Sequence, residues 1–411
     1  KFEFDNSFNL TSYGFDLFGG VDIADFDANN YVDTFTNAQS VFDTNNGLPA
    51  DEGWALAETN VGQFAFYLQD EWSASEKLKL TYGIRFDKPL FFDSDEKAQN
   101  VIDRGFVLPD IPYRDPNTGE TVLIDNTQMP TDKILISPRV GFNWDVKDDN
   151  TMQVRGGTGL FTGRSPFVWL GNQIAAPDAF FLQAVDPDFQ FPQVWRTNIG
   201  ADKKFESGLI LTGDVSYTKD INGAHVQHWG LASPSGNLQG VDNRPIYLAT
   251  DVLTFDGNPG DGPFIFTNSN KGRIWNASLK AQKTFDNGWY TMLAYNFLNS
   301  KDVNSIEAEI TSDAFAGNPI VNNSNTDVLS FSKYGDTHRF IGVASKQFKY
   351  GNDKWATTIS TFFEYAQGGR FNYTYGGDIN GDGSGLNDLL YIPTSAEIGQ
   401  MNFSGTGDAA A

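Results

Sequence analysis

Residues Arg273–Asn299, RIWNASLKAQKTF-DNG-WYTMLAYNFLN, decide the fold. Two runs flank a tight Asp286-Asn287-Gly288 turn. In the first run Trp275, Ala277, Leu279, Ala281 and Phe285 fall on one side, interrupted by Lys283. Asn276, Ser278, Lys280, Gln282 and Thr284 fall on the other. This period-two alternation marks a strand with one apolar and one wet face. Asn287-Gly288 supplies the positive φ angles that a tight hairpin needs. In the second run Trp289, Leu293, Tyr295 and Phe297 share one face, and Tyr290, Met292, Ala294 and Leu298 the other. Alternation alone leaves open which of these two faces looks outward. Phe285, Trp289 and Tyr290 crowd the turn, as aromatic side chains do at a membrane–water boundary.

Composition narrows the class. The 411 residues carry 52 acidic and 29 basic side chains, a formal charge of −23. Such a chain repels phosphate backbones, so no nucleic-acid partner is expected. The absence of cysteine excludes disulfides, thiolate metal sites and a cysteine nucleophile. No apolar run approaches the ~18 residues of a membrane-spanning helix, and mean hydropathy is −0.37. A β-barrel escapes that test, because each strand turns only ~5 of ~10 residues to lipid. With 14% aromatics and 41 glycines, the composition favours strands and turns.

The same pattern recurs along the chain. Lys1–Leu10 places Phe2, Phe4, Phe8 and Leu10 in alternation. A polar stretch follows, within which Tyr31–Thr44 reads as a short helix. Hairpins are then expected at Gln63–Trp72 with Lys77–Asp87, Arg139–Val146 with Thr151–Thr162, and Val194–Asp202 with Gly208–Lys219. The opening pair and His338–Lys349 with Trp355–Ala366 complete the series, and Leu389–Ile392 is one more apolar run. Links within the hairpins are short, whereas the excursions between them, such as 88–135, 163–192, 220–270 and 301–335, are long and polar. Compact soluble domains rarely hold several structureless loops longer than ~15 residues. Outer-membrane barrels do so systematically. The expectation is therefore all-β, a transmembrane antiparallel β-barrel with long extracellular loops, against a secreted β-sandwich or propeller as the soluble alternative.

GQFAFYLQDEWSASEKLKLTYGIRFD (62–87) and SPRVGFNWDVKDDNTMQVRGGTGLFTGRSPFVWLGNQ (137–173) resemble the barrel signature of TonB-dependent outer-membrane transporters. The GRSPFVWLGNQ ending and YTYGGDINGDGSGLNDLLYIP (373–393) are similar to the Oar-like, Bacteroidetes-type branch of that family. The resemblance implies a 22-stranded barrel closed by an N-terminal plug and energised through TonB. On that reading residues 1–411 form an incomplete barrel domain, without the plug, the TonB-contact segment or the closing C-terminal strands. It further implies a bacterial outer membrane location, lipid contact, and import of an unidentified extracellular substrate, with a surface lipoprotein or protein partner as an option and no enzymatic step. The alternatives are a structural or adhesive barrel in a surface complex and a secreted calcium-binding β-protein.

Candidate chemistry is sparse. Asp378, Asn380, Asp382 and Gly383 stand at positions 1, 3, 5 and 6 of a calcium-loop pattern, followed by Ser384 and Asp388. Glycine permits the turn that lets three oxygens converge, and Asp388 at position 11 substitutes for the usual Glu at 12. The plain reading is a solvated Gly/Asn/Asp-rich loop. Asp25, Asp27, Asn29 and Asp33 repeat the spacing more weakly. His225, His228 and His338 form no metal set, with 224–230 read as loop. No G-x-S-x-G elbow is present. Gly156, Gly157 and Gly159 fall within a strand and relieve crowding in a curved wall. Arg85, Arg139 and Arg155 suit interior salt bridges or, alternatively, a charged lumen that contacts plug or substrate.

Overall fold

The computed structural model describes residues 2–7, 56–96, 99, 112–123, 125, 127–165, 167–175, 183–253, 262–306, 308, 310–321, 323 and 325–401. The expected helix at 31–44, the Asp25–Asp33 spacing and residues 1 and 8–10 of the first expected strand lie outside these residues.

In chain order the strands are β1 (Phe2–Ser7), β2 (Leu56–Ser73), β3 (Leu78–Leu90), β4 (Tyr113–Arg114), β5 (Thr121–Val122), β6 (Leu135–Asp145), β7 (Met152–Thr162), β8 (Gln183–Val185) and β9 (Gln193–Lys204). They continue with β10 (Leu209–His228), β11 (Gly236–Asn237), β12 (Pro245–Ile246), β13 (Phe264–Ser269), β14 (Arg273–Thr284), β15 (Trp289–Asp302), β16 (Ser330–Phe331), β17 (His338–Tyr350) and β18 (Trp355–Ala366). Helices α1 (Phe167–Ala175) and α2 (Thr311–Ala316) sit in the connections, and α3 (Ser395–Ile398) follows β18. Among the described residues eleven strands form one antiparallel meander, β1-β2-β3-β6-β7-β9-β10-β14-β15-β17-β18. Its links alternate as expected. Residues 74–77, 146–151, 205–208, 285–288 and 351–354 turn at one end, and the long excursions all return at the other.

Register decides which face looks where. Leu78, Trp144, Val154, Ala201, Gly213, Leu279, Tyr295, Phe340 and Tyr365 are successive partners across nine strands. One residue along, the row reads Lys79, Asn143, Arg155, Gly200, Asp214, Ser278, Asn296, Arg339 and Ala366. Successive residues point to opposite faces, so the wall is apolar on one side and polar on the other. The apolar side is bare: Leu279 is 58% exposed and Leu293 59%. An apolar surface this extensive is stable against lipid, not water. The Trp289, Leu293, Tyr295 and Phe297 face of β15 is thereby the outward one, which alternation had left open.

Exposed aromatics flank this band. Trp72, Trp144, Phe285, Trp289 and Trp355 stand near the short turns, and Trp195 and Trp275 near the opposite end. Leu279 lies midway between Trp275 and Lys283. The 286–288 turn departs from the expected geometry in one respect. Only Gly288 takes a positive φ, 84°, and Phe285 N donates to Trp289 O at 2.8 Å. The loop is three residues long, so one left-handed residue suffices where a two-residue turn needs two.

The hydrophobic core lies at the long-connection end, where the connections pack with the ends of β2, β6 and β10. Phe91, Leu135, Trp169, Leu170, Phe189, Phe191, Val226, Phe264, Phe266 and Phe315 are buried in one cluster. Trp169 stacks on Phe266 with centroids 4.3 Å apart. Within the excursion 163–192, Phe167–Ala175 forms α1, because its apolar side has this cluster to bury against. Residues 224–230 were likewise expected as loop, yet β10 runs through His228 with β13 pairing Gly223–His228. Leu389–Ile392 does not become a strand; Leu389 makes a single bridge to Thr374.

Candidate functional site

The polar face of the wall carries the arginines singled out in the sequence. Arg85 donates to both oxygens of Asp87, at 3.0 and 2.9 Å from Nε and 2.8 Å from Nη2. Asp87 is fully buried, and Gln63 also donates to it at 2.8 Å. Arg155 pairs with Asp202 and reaches Asp214 at 2.7 Å. Thr212 donates to Asp202 at 2.6 Å. These are the expected interior salt bridges. Arg139 differs: its Nε is buried without a hydrogen-bond partner. It stands between Gly83 and Gly159 on the flanking strands. A Cβ on Gly159 would lie 2.7 Å from Arg139 Cβ, and one on Gly157 2.8 Å from Val140 O. The glycines therefore clear the wall for neighbouring groups, as the strand reading required. Gln63, Arg85, Ser137, Arg139, Thr162 and Arg164 line a cavity of about 460 Å³ here. Asp87 neutralises Arg85 here, and Arg139 and Arg164 bring two further guanidiniums to the cavity.

The long connections pack into a cap. His225 and His228 are both buried, but in β10, three residues apart, they face opposite sides. His225 Nε2 lies 3.4 Å from Asp327 Oδ1, and Ser269 Oγ donates to Asp327 at 2.5 Å. Burial pushes His225 below the ordinary histidine range, against the pull of Asp327. His228 is pushed down to about 3 by burial. Its Nδ1 accepts from Gly230 N at 3.0 Å, and its ring packs on Phe264 at 4.5 Å. His338 sits elsewhere, 2.8 Å from Tyr295 Oη. No shared histidine ligand set forms among the described residues.

The glycine-rich loop docks into this cap. Asp378 Oδ1 accepts from Gly381 N at 2.6 Å and Asp382 N at 3.1 Å, and Oδ2 from Gly383 N at 2.9 Å. Asn380 Oδ1 accepts from Asp382 N at 2.8 Å. Asp382 Oδ1 accepts from Ser384 N at 3.0 Å, and Oδ2 from Asn387 Nδ2 at 2.9 Å. Asp388 lies apart from that set: Oδ1 takes Arg244 Nη1 at 3.0 Å and Oδ2 takes Ile379 N at 3.0 Å. Burial pushes the Asp388 carboxyl upward, against the Ile379 amide and Arg244. Among the described residues no three His, Cys, Asp or Glu side chains converge as a metal-holding group. Asn387 was missed in the sequence, where only spacing from Asp378 guided the choice.

Beside this loop a second cavity, about 720 Å³, is lined by Asp313, Phe331, Lys333, Arg370, Phe371 and Leu386. Arg370 stacks over Phe331 at 3.7 Å, and Phe371 is 75% exposed. This cavity belongs to the long-loop end.

A family model described as an outer membrane beta barrel domain matches residues 3–177. A search of curated proteins finds no match. Among solved structures, the chain is similar to the alcaligin outer-membrane receptor FauA of Bordetella pertussis, with 13% identity over 76% of this chain and 40% of that one, TM-score 0.39. The outer-membrane transporter YddB of Escherichia coli shows 12% identity over 74% and 33%, TM-score 0.45. The FrpB iron transporter of Neisseria meningitidis shows 10% identity over 76% and 44%, TM-score 0.39. The chain spans less than half the length of these proteins. The family match, the all-antiparallel meander and its bare apolar face place this protein in the bacterial outer membrane as β-barrel wall.

Proposed function

We propose that this chain is wall and extracellular cap of a TonB-dependent active transporter of the Oar-like type. Its long loops capture an unidentified substrate, which passes inward along the polar face. The observation that carries the reading is the division of labour in the structure. One wall face is apolar and bare, the other holds a polar band with an arginine-lined cavity, and the loops bury a core of their own above it. The 137–173 segment, which resembles the transporter signature, supplies most residues around that cavity. On this reading the edge of β18, unpaired among the described residues, is closed by a further strand, because lipid does not tolerate an open sheet edge. Energy arrives through a plug and TonB-contact segment of the full-length protein, and a surface lipoprotein is a further partner.

The test compares cells carrying and lacking the full-length gene. Depletion of solutes from a defined medium is followed with and without a protonophore. Depletion of a solute that needs both the gene and the proton gradient supports active import. Gene-dependent surface attachment with no gene-dependent depletion replaces it with the adhesive reading.

A further inference from the structure

The loop after β18 buries oxygen atoms at a density that its own hydrogen bonds do not use up. Asn380, Asp382, Ser384, Asn387 and Asp388 are exposed by 2, 0, 6, 1 and 0%. Two of their atoms, Ser384 Oγ and Asn387 Oδ1, have no hydrogen-bond partner. An orphaned buried acceptor costs about 1–3 kcal/mol, so two in one short loop point to a missing partner. The Asn387 carboxamide lies against Asp382, to which its Nδ2 donates. Its orphaned oxygen belongs to the same carboxamide whose nitrogen is tied to that carboxylate. Ser384 is tied to the same carboxylate through its amide.

We propose that this loop is a calcium site whose ligands come from Asp378, Asn380, Asp382, Ser384 and Asn387, with Asp388 outside the set. The donors are all hard oxygens, carboxylate, amide and hydroxyl, as calcium requires. Asp378 and Asp382 match the two charges of the ion. The charge of Asp388 is already met by Arg244, whose guanidinium also holds Asp242 at 3.0 Å and Leu389 O at 2.5 Å. Gly381 and Gly383, at φ 78° and 91°, give the loop the left-handed residues that fold it back on itself. Tyr247 N donates to Asn380 O at 2.7 Å, so the ion would fasten this loop to the β10–β13 connection. The inference stands on the loop alone and does not depend on the transport reading.

The experiment uses the full-length protein in mild detergent, stripped with a chelator and titrated calorimetrically with calcium chloride, and in parallel with magnesium chloride. Protease cleavage within 373–392 is followed at each calcium concentration. The expected result is saturable calcium binding, with a Kd on the order of 10⁻⁴–10⁻³ M as in extracellular modules, and protection of the loop over the same range. Ser384→Ala and Asn387→Ala each weaken it about threefold or more, Asp382→Asn at least tenfold, and Asp388→Asn changes it less than threefold, on the ligand logic above. Absence of calcium-dependent heat and protection in the unaltered protein overturns the proposal, leaving water as partner of the orphaned atoms. Binding lost in Asp388→Asn but untouched in Asn387→Ala also overturns it.

Discussion

Arg244 and Asp388 are 144 residues apart in sequence and meet at 3.0 Å with neither side chain exposed. This buried pair joins the connection after β10 to the loop after β18, and Arg244 lies 5.3 Å from the Tyr375 ring as well. Arg244→Met leaves Asp388 buried without its charge partner, a loss of about 3–5 kcal/mol for such pairs. Protease cleavage in 373–392 should accelerate strongly while the wall stays folded. Arg244→Met with Asp388→Leu should recover much of the protection, since apolar replacement of both partners is close to neutral.

Leu279 and Ser278 test which face meets lipid. Leu279→Arg places a charge midway along the apolar band and should cost about 2–4 kcal/mol. Ser278→Arg points into the polar face and should cost well under half of that. Insertion of the full-length protein into liposomes, read from the mobility of unboiled samples on a denaturing gel, separates the two. Equal loss in both variants would reverse or abolish the assignment of faces.

Gly200 lies between Arg155 and Asp214 in one cross-strand row. An added Cβ would sit 3.0 Å from Asp214 Cγ and 3.1 Å from Arg155 Nη2. Gly200→Ala therefore displaces the ion pair and should destabilise by about 1–3 kcal/mol, the usual range for overpacking. At Gly213, on the outward face, the nearest atoms are 3.9 Å away, so Gly213→Ala is the matched control. The temperature at which the folded gel form disappears should fall for the first and hold for the second.

His228 makes the cap acid-sensitive. Its folded value is depressed to about 3 by burial, whereas the unfolded imidazole titrates near 6.5. Between those values the unfolded state binds the extra proton, so stability is full above about pH 6.5 and falls as pH drops towards 3. Each unit within that window costs up to about 1.4 kcal/mol. His225, also depressed by burial, acts in the same direction. Amide exchange in β13 should accelerate from pH 6.5 to 4, and His228→Phe should lessen the dependence, with the His225 part remaining.

The sequence by itself determined the wall. Alternation is a local property, so Arg273–Asn299 and its four companion hairpins were readable, although β2 begins at Leu56 and β10 runs to His228, well beyond the expected Gln63 and Lys219. The glycines of 156–159 and the paired arginines were legible for the same reason: a strand's period states which neighbours share a face. Tertiary structure decided the rest. The outward face of β15 followed only from register with β14 and β17, since both of its faces carry apolar residues. The cap looked polar and structureless because α1, β13 and α2 each contribute a few apolar residues, too few to make a period. Phe266, Trp169 and Phe315 become a core only when distant segments bury them together. The same holds for the glycine-rich loop. Spacing nominated Asp388; only the structure shows that Arg244 holds this carboxylate and that the unpartnered atoms of the loop are Ser384 Oγ and Asn387 Oδ1.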